Sequence, residues 1–116
     1  MKVKVDVDLG GLFSLNQAVR ERARLAQRRL AAAVLRDSQR YIPFRTGMLK
    51  RSGDIISNNS IVRWATKYAE YVYRMPQNII KQVRNPHAHS EWFKHAQNLH
   101  GKEWKRLVTD TMQGKK

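Results

Sequence analysis

The chain has no cysteine among its 116 residues. That excludes a disulfide framework and every thiolate metal site, and it suits a chain made in a reducing compartment, with cytoplasmic synthesis the simple reading. Acidic residues are also scarce, 9 Asp and Glu against 23 Lys and Arg, for a formal net charge of +14 at pH 7. Folding must overcome that self-repulsion, and the surplus has to be met by phosphates, by an acidic protein partner or by neighbours in an assembly. Long apolar runs are missing as well. The opening MKVKVDVDLGGLF alternates charged and apolar residues, so neither a signal peptide nor a membrane anchor is expected. The serines lie outside any Gly-x-Ser-x-Gly elbow, no glycine-rich phosphate loop is present, and the carboxylates are spread too thinly for paired acid–base or two-metal chemistry. No enzyme is expected, and hence no catalytic, cofactor-binding or metal residue.

What is present reads as one α+β domain over residues 1–116, a long N-terminal helix and a C-terminal helix packed on a small antiparallel β-sheet. Residues 1–13 form a strand or arm, because Val3, Val5, Val7 and Leu9 alternate with Lys2, Lys4, Asp6 and Asp8 until Gly10 and Gly11 end the pattern. Residues 14–41 form the long helix: Ser14 and Gln17 make a capping box, and Leu15, Val19, Ala26, Leu30, Val34 and Tyr41 recur at helical spacing. Pro43 stops it. Residues 42–73 hold a loop punctuated by Gly47 and Gly53 and then a β-hairpin turning at Asn58-Asn59, residues that tolerate left-handed backbone angles. Residues 74–89 are a polar insert that leaves the core. Residues 90–113 form the last helix, capped by Ser90 and open to interruption at Gly101.

Histidines invite a metal reading. His87 and His89 precede the last helix, and Glu91 with His95 are four apart on one helical face, but no further ligand completes a set. A loop histidine is more often a turn or surface residue, and His100 reads the same way. The arginines carry more: Arg20, Arg24 and Arg28 follow one another at i, i+4, with Arg22, Arg29, Arg36 and Arg40 along adjacent lines and only Glu21 and Asp37 to offset them. Such a helix face meets DNA phosphates or an acidic partner, or it is simply solvated. Trp64, Tyr68, Tyr71, Tyr73, Trp92, Phe93 and Trp104 fit core or subunit contacts better than base-stacking platforms. A small basic protein that binds nucleic acid without sequence preference is therefore one reading of the residues. A weaker one is a toxin-like RNA-acting protein with His87 or His89 as its acid–base group.

Taken in order, the segments resemble the minor capsid or neck (head–tail joining) proteins of tailed phages and prophages of Gram-positive bacteria, and the related HK97-type head–tail proteins. The long helix running into YIPFRTGMLKRSG is similar to a Pro-x-x-Thr-Gly-x-Leu-x-x-Ser block, with Pro43, Thr46, Gly47, Leu49 and Ser52 at its fixed positions. IVRWATKYAEYVYRM resembles a strand followed by a Tyr-Ala-x-x-x-Tyr element at Tyr68 and Ala69, and NPHAHSEWFKHAQ resembles an Asn-Pro-x-Ala-x-x-x-Trp-x-x-x-Ala block at Asn85, Pro86, Trp92 and Ala96. The chain departs from the pattern in its longer polar insert before Asn85 and in its high positive charge. The resemblance implies a virion protein of the head–tail junction, made in the bacterial host cytoplasm and working without a cofactor. It would assemble as a homo-oligomeric ring around the DNA exit channel, against portal, head-closure or tail-terminator proteins. Docking of an acidic neighbouring ring, or nonspecific contact with packaged DNA, would fall to Arg20, Arg24, Arg28, Arg29, Arg36 and Arg40, and the motif residues would be fold determinants.

Overall fold

A computed structural model describes residues 1–7, 16–44 and 47–114. Its elements are β1 (Lys2–Lys4), α1 (Gln17–Gln39), α2 (Met48–Arg51), β2 (Gly53–Ile56), β3 (Ile61–Trp64), α3 (Ala69–Tyr73), a 3₁₀ turn (Gln77–Ile79) and α4 (Trp92–Met112). This is the expected α+β arrangement of two long helices against a small antiparallel sheet, with strand order β1-β3-β2.

The sheet is built around β3. Val3 pairs with Val62 on one side and Ile55 with Val62 on the other. Alternation then buries Val62 and Trp64 completely. Arg63 falls on the outer face, where it grips its cross-strand partner Asp54 through two bonds of 2.8 and 3.2 Å. The hairpin turns through Ser57, Asn58 and Asn59, all at positive φ (55°, 56° and 67°), so the Asn-Asn expectation holds with one residue more in the left-handed region. Strand β1 is shorter than the alternation suggests, although the Val5 N–H still donates to the Ser60 carbonyl at 2.7 Å.

Helix α1 starts later than expected. Asn16 is the N-cap and its side chain accepts from the Val19 N–H at 3.1 Å, while Gln17 donates to Glu21. Ser14, the expected capping partner, lies outside the described residues, as do Leu9, Gly10, Gly11 and Leu15. The buried stripe of α1 is mostly small: Ala23, Ala26, Ala31, Ala33, Val34 and Ser38. Such residues let neighbours approach closely, and α4 runs antiparallel against α1, as successive pairings of Arg29 with Thr111, Asp37 with Trp104 and Tyr41 with His100 show. Helix α4 is continuous through Gly101. Its N-cap is Glu91, at φ 50° and without a side-chain cap bond, and the expected cap Ser90 instead donates its hydroxyl to the Met75 carbonyl.

Two glutamines fasten α1 to the sheet. Gln27 accepts from the Val7 N–H at 2.9 Å and donates to the carbonyls of Val5 and Asn59, tying strand and hairpin turn to one side chain. Gln39 accepts from the Trp64 indole at 3.1 Å and donates to the Lys50 carbonyl at 2.8 Å. Gly53, expected in a loop, opens β2 at this crossing. A Cβ there would meet Trp64 Nε1 at 2.8 Å and Gln39 Nε2 at 2.9 Å, so only glycine admits so close an approach. Gly47 is needed for a different reason: its φ is +82° and a Cβ would press on the Phe44 ring at 3.0 Å. Pro43 is half-buried, Leu49 is buried and Ser52 caps back onto the Leu49 carbonyl at 2.6 Å, whereas Thr46 lies outside the described residues.

Residues 74–89 do not simply leave the core. Asn85 donates through Nδ2 to the carbonyls of Arg40 and Ile42, both at 2.9 Å, satisfying groups that α1 leaves open where it ends. Its Oδ1 accepts from the His87 N–H, a local turn with Pro86 inside it. Ala88 is fully buried, its carbonyl accepts from Gln82, and the His89 N–H donates to the Tyr41 carbonyl. Trp92 then packs edge-on against Trp64 (5.7 Å between ring centres) and Tyr73 (4.8 Å), with Ala69 and Ala96 also fully buried.

Asn85→Ala should lower unfolding stability by about 2 kcal/mol, read by urea denaturation, because two acceptors lose their donor at once. Ser38→Ala should do the reverse. The Ser38 hydroxyl is fully buried with no partner among the described residues, so its removal should raise stability by about 1 kcal/mol.

Candidate interaction surfaces

Among the described residues no group of three or more His, Cys, Asp or Glu side chains could hold a metal ion, and no helix is long and apolar enough to cross a membrane. The histidines nevertheless converge, which their sequence positions did not suggest. His89 and His95 stack with ring centres 3.7 Å apart and planes 9° off parallel, and the Tyr41 ring meets His95 edge-on at 4.7 Å. The Tyr41 hydroxyl lies 2.9 Å from His100 Nε2, and Glu103 approaches the other ring nitrogen of His100 at 3.6 Å. His87 stays exposed and apart. The group forms a plug where α1 ends beside α4. Burial holds the pKa of His95 below its ordinary value, and the neighbouring charges of His89 and His100 push it the same way.

The arginines expected to share one helix face are divided between two. Arg20, Arg24 and Arg28 lie on the flank of α1 nearer the hairpin turn, where Arg24 and Arg28 border a shallow hollow with Glu21, Leu25 and Asn59. Arg22, Arg29 and Arg36 sit about 140° round the helix from that line, on the flank that meets α4. Arg22 Nη1 reaches the Met112 carbonyl at 3.5 Å, Arg29 Nη1 donates to Thr111 Oγ1 at 3.2 Å, and Arg36 Nε donates to Asp37 Oδ1 at 3.1 Å. Arg40 is the exposed C-cap of α1. Asp37 also accepts from the Trp104 indole at 2.7 Å. Burial works to raise its pKa, but the bonds from Trp104 and Arg36 and the charge of Arg36 outweigh that and hold it below the ordinary carboxylate value. Arg22 was a secondary residue in the sequence reading, yet the seven-residue spacing of 22, 29 and 36 was there to be seen; it gained meaning only once α4 was known to lie alongside.

The acidic side chains do little to offset the positive charge at long range. Asp6, Asp37, Asp54, Glu70, Glu91 and Asp110 each lie within 4 Å of a nearby Lys or Arg, and Glu103 lies beside His100. Most of these pairs are exposed and contribute little to stability. Large apolar side chains are exposed elsewhere. Phe44, Met48, Tyr68, Tyr71, Ile79 and Val83 are exposed large hydrophobics, all from the segments that connect α1 to α4, and Val83 is 92% exposed. Arg84 lies over the Phe44 ring at 6.0 Å, bringing the end of the insert beside the segment that follows α1. Ala69, Trp92 and Ala96, by contrast, are core, and Asn85 is a structural clamp.

Because unfolded His95 titrates near the ordinary histidine value of 6.5 and the folded residue below it, the unfolded chain binds more protons in between. Stability is therefore full above about pH 6.5 and declines as pH falls below it. Thermal melts on either side of that pH should show the decline, and His95→Phe should flatten it.

The sequence was compared with known proteins. No curated protein and no solved structure matches significantly. A family model described as minor capsid protein matches residues 3–112, nearly the whole chain, from within β1 to the end of α4. The chain therefore belongs to the minor capsid protein family and is a structural component of the phage virion.

Proposed function

We propose that this minor capsid protein acts at the head–tail junction, as a neck or tail-completion component whose copies form a ring around the DNA exit channel. The observation that carries the reading is the concentration of exposed large apolar side chains in one part of the chain: among the described residues all but Leu99 come from residues 44–83. Protein interfaces need desolvated apolar and aromatic anchors, and Tyr71 and Val83, 71% and 92% exposed, are the most exposed candidates among the described residues. A head-closure, portal-bound or tail-terminator neighbour would cover this surface, in a heterologous contact repeated by cyclic symmetry. No chemistry is asked of the protein; the task is to hold adjoining rings in register while DNA is retained and later passes.

The test is incorporation into particles. Tyr71→Asp and Val83→Asp change solvent-facing side chains, so each variant should keep the wild-type melting temperature within about 2 °C. Both should fail to co-sediment with tailed particles and leave heads and tails unjoined in electron micrographs. Incorporation at wild-type level, or labelling of the protein over the capsid faces instead of the neck, would overturn the proposal.

A further inference from the structure

We propose that the row Arg22, Arg29 and Arg36, along the seam between α1 and α4, is a binding surface for the phosphate backbone of double-stranded DNA. Seven-residue spacing drifts only about 20° per step round a straight helix, so the three arginines leave the helix along a nearly straight line, their backbone positions about 10.5 Å apart and about 21 Å from end to end. Two of them are anchored on neutral acceptors, Arg22 on the Met112 carbonyl and Arg29 on the Thr111 hydroxyl, which orient a guanidinium without cancelling its charge. The third, Arg36, shares Asp37 with the Trp104 indole, and its side chain remains 74% exposed. The line is therefore pre-set, and less side-chain freedom is lost when it meets an anion.

The alternative occupant of a cationic row is an acidic protein, and the composition of the seam argues against it. None of the large exposed hydrophobics among the described residues lies on α1, and the one on α4, Leu99, sits about 120° or more round that helix from Trp104, which roofs the seam. A protein interface without an apolar centre lacks its main source of affinity. Phosphate binding needs none, because it draws on distributed cations and the release of counterions. A duplex rises about 3.4 Å per base pair, so the row spans about six pairs of backbone, and it offers no group positioned to read bases. The interaction is therefore sequence-independent and weak per contact. It rests on charge and geometry, and it holds whether or not the protein stands at the head–tail junction.

The test is fluorescence anisotropy of a 30-bp duplex titrated with the full chain at several salt concentrations. Two triple variants of equal charge loss are compared: Arg22, Arg29 and Arg36 each →Gln, and, as control, Lys2, Lys67 and Lys102 each →Gln. With about 0.9 in the logarithmic salt slope per neutralised phosphate, the seam variant should be shallower than wild type by about 2 to 3. Between 50 and 200 mM salt that corresponds to a difference of about 40-fold in the loss of affinity. The control should change the slope by less than about 1. Equal weakening of both variants would overturn the proposal in favour of diffuse charge, and absence of salt-dependent DNA binding by the wild type would overturn it outright. If the triple variant melts early, Arg22→Gln alone, at an exposed position, should still lower the slope by about 1, and an unchanged slope would sink the idea. Poly-glutamate binding as tightly as DNA, with the same loss in the seam variant, would show that the row is built for acidic protein.

Discussion

The close approach of α1 to α4 and the sheet is the constraint on which the rest of the structure depends. It is made possible by alanines: Ala26, Ala31 and Ala96 are fully buried and Ala33 nearly so, giving α1 and α4 small residues where larger side chains would hold them apart. Once the helix backbones are near, Trp64 and Trp92 fill the remaining space beneath them edge-to-face. The polar ties are then made by side chains that reach from α1 into the sheet or across to α4. Gln27 and Gln39 bond backbone carbonyls, and Asp37 accepts from the indole of Trp104. Each is specific because the helix can sit at only one depth.

The same arrangement organises the charge. A chain at +14 loses stability to repulsion among its cations. Here the carboxylates neutralise neighbours locally, as in the Arg63–Asp54 pair across the hairpin, and the uncompensated surplus remains as open surface. Apolar exposure is concentrated in the connecting segments, where Lys50, Lys67 and Lys81 are exposed beside it. A structural protein of the virion has to meet other proteins without meeting them through every face, and confining large apolar side chains to a few segments is a simple physical way to ensure that.

The resemblance to head–tail joining proteins rested on spaced residues whose purposes are now separable. Gly47 is required by a left-handed backbone, Asn85 by carbonyls left open at the end of a helix more than forty residues earlier, and Ala96 by the proximity of its neighbours. None of them is reactive, and each answers a steric or hydrogen-bonding demand of the fold. The histidine plug is of another kind: stacked imidazoles around Tyr41 close the end of the helix pair, and burial there favours the neutral form of His95.

The sequence by itself determined whatever depends on near neighbours in the chain. Alternation of valines with charged residues identified β1, helical spacing from Val19 to Tyr41 identified α1, Asn58 and Asn59 marked the hairpin turn, and the block from Asn85 to Ala96 placed the last helix. Tertiary structure decided whatever depends on which surfaces meet. Ser90 looked like a helix cap, but the carbonyl of Met75 lies within reach of its hydroxyl. Gly53 looked like loop punctuation, but the side chains of Trp64 and Gln39 leave no room for a Cβ there. Seven arginines looked like one face; Arg40 is the C-cap, the other six lie along two flanks of α1, and only the arrival of α4 made one of those lines a seam. Periodicity reports which residues share a side of a helix; only the packed neighbour decides what that side is for, because burial, pairing and exposure belong to the contact and not to the strand or helix alone.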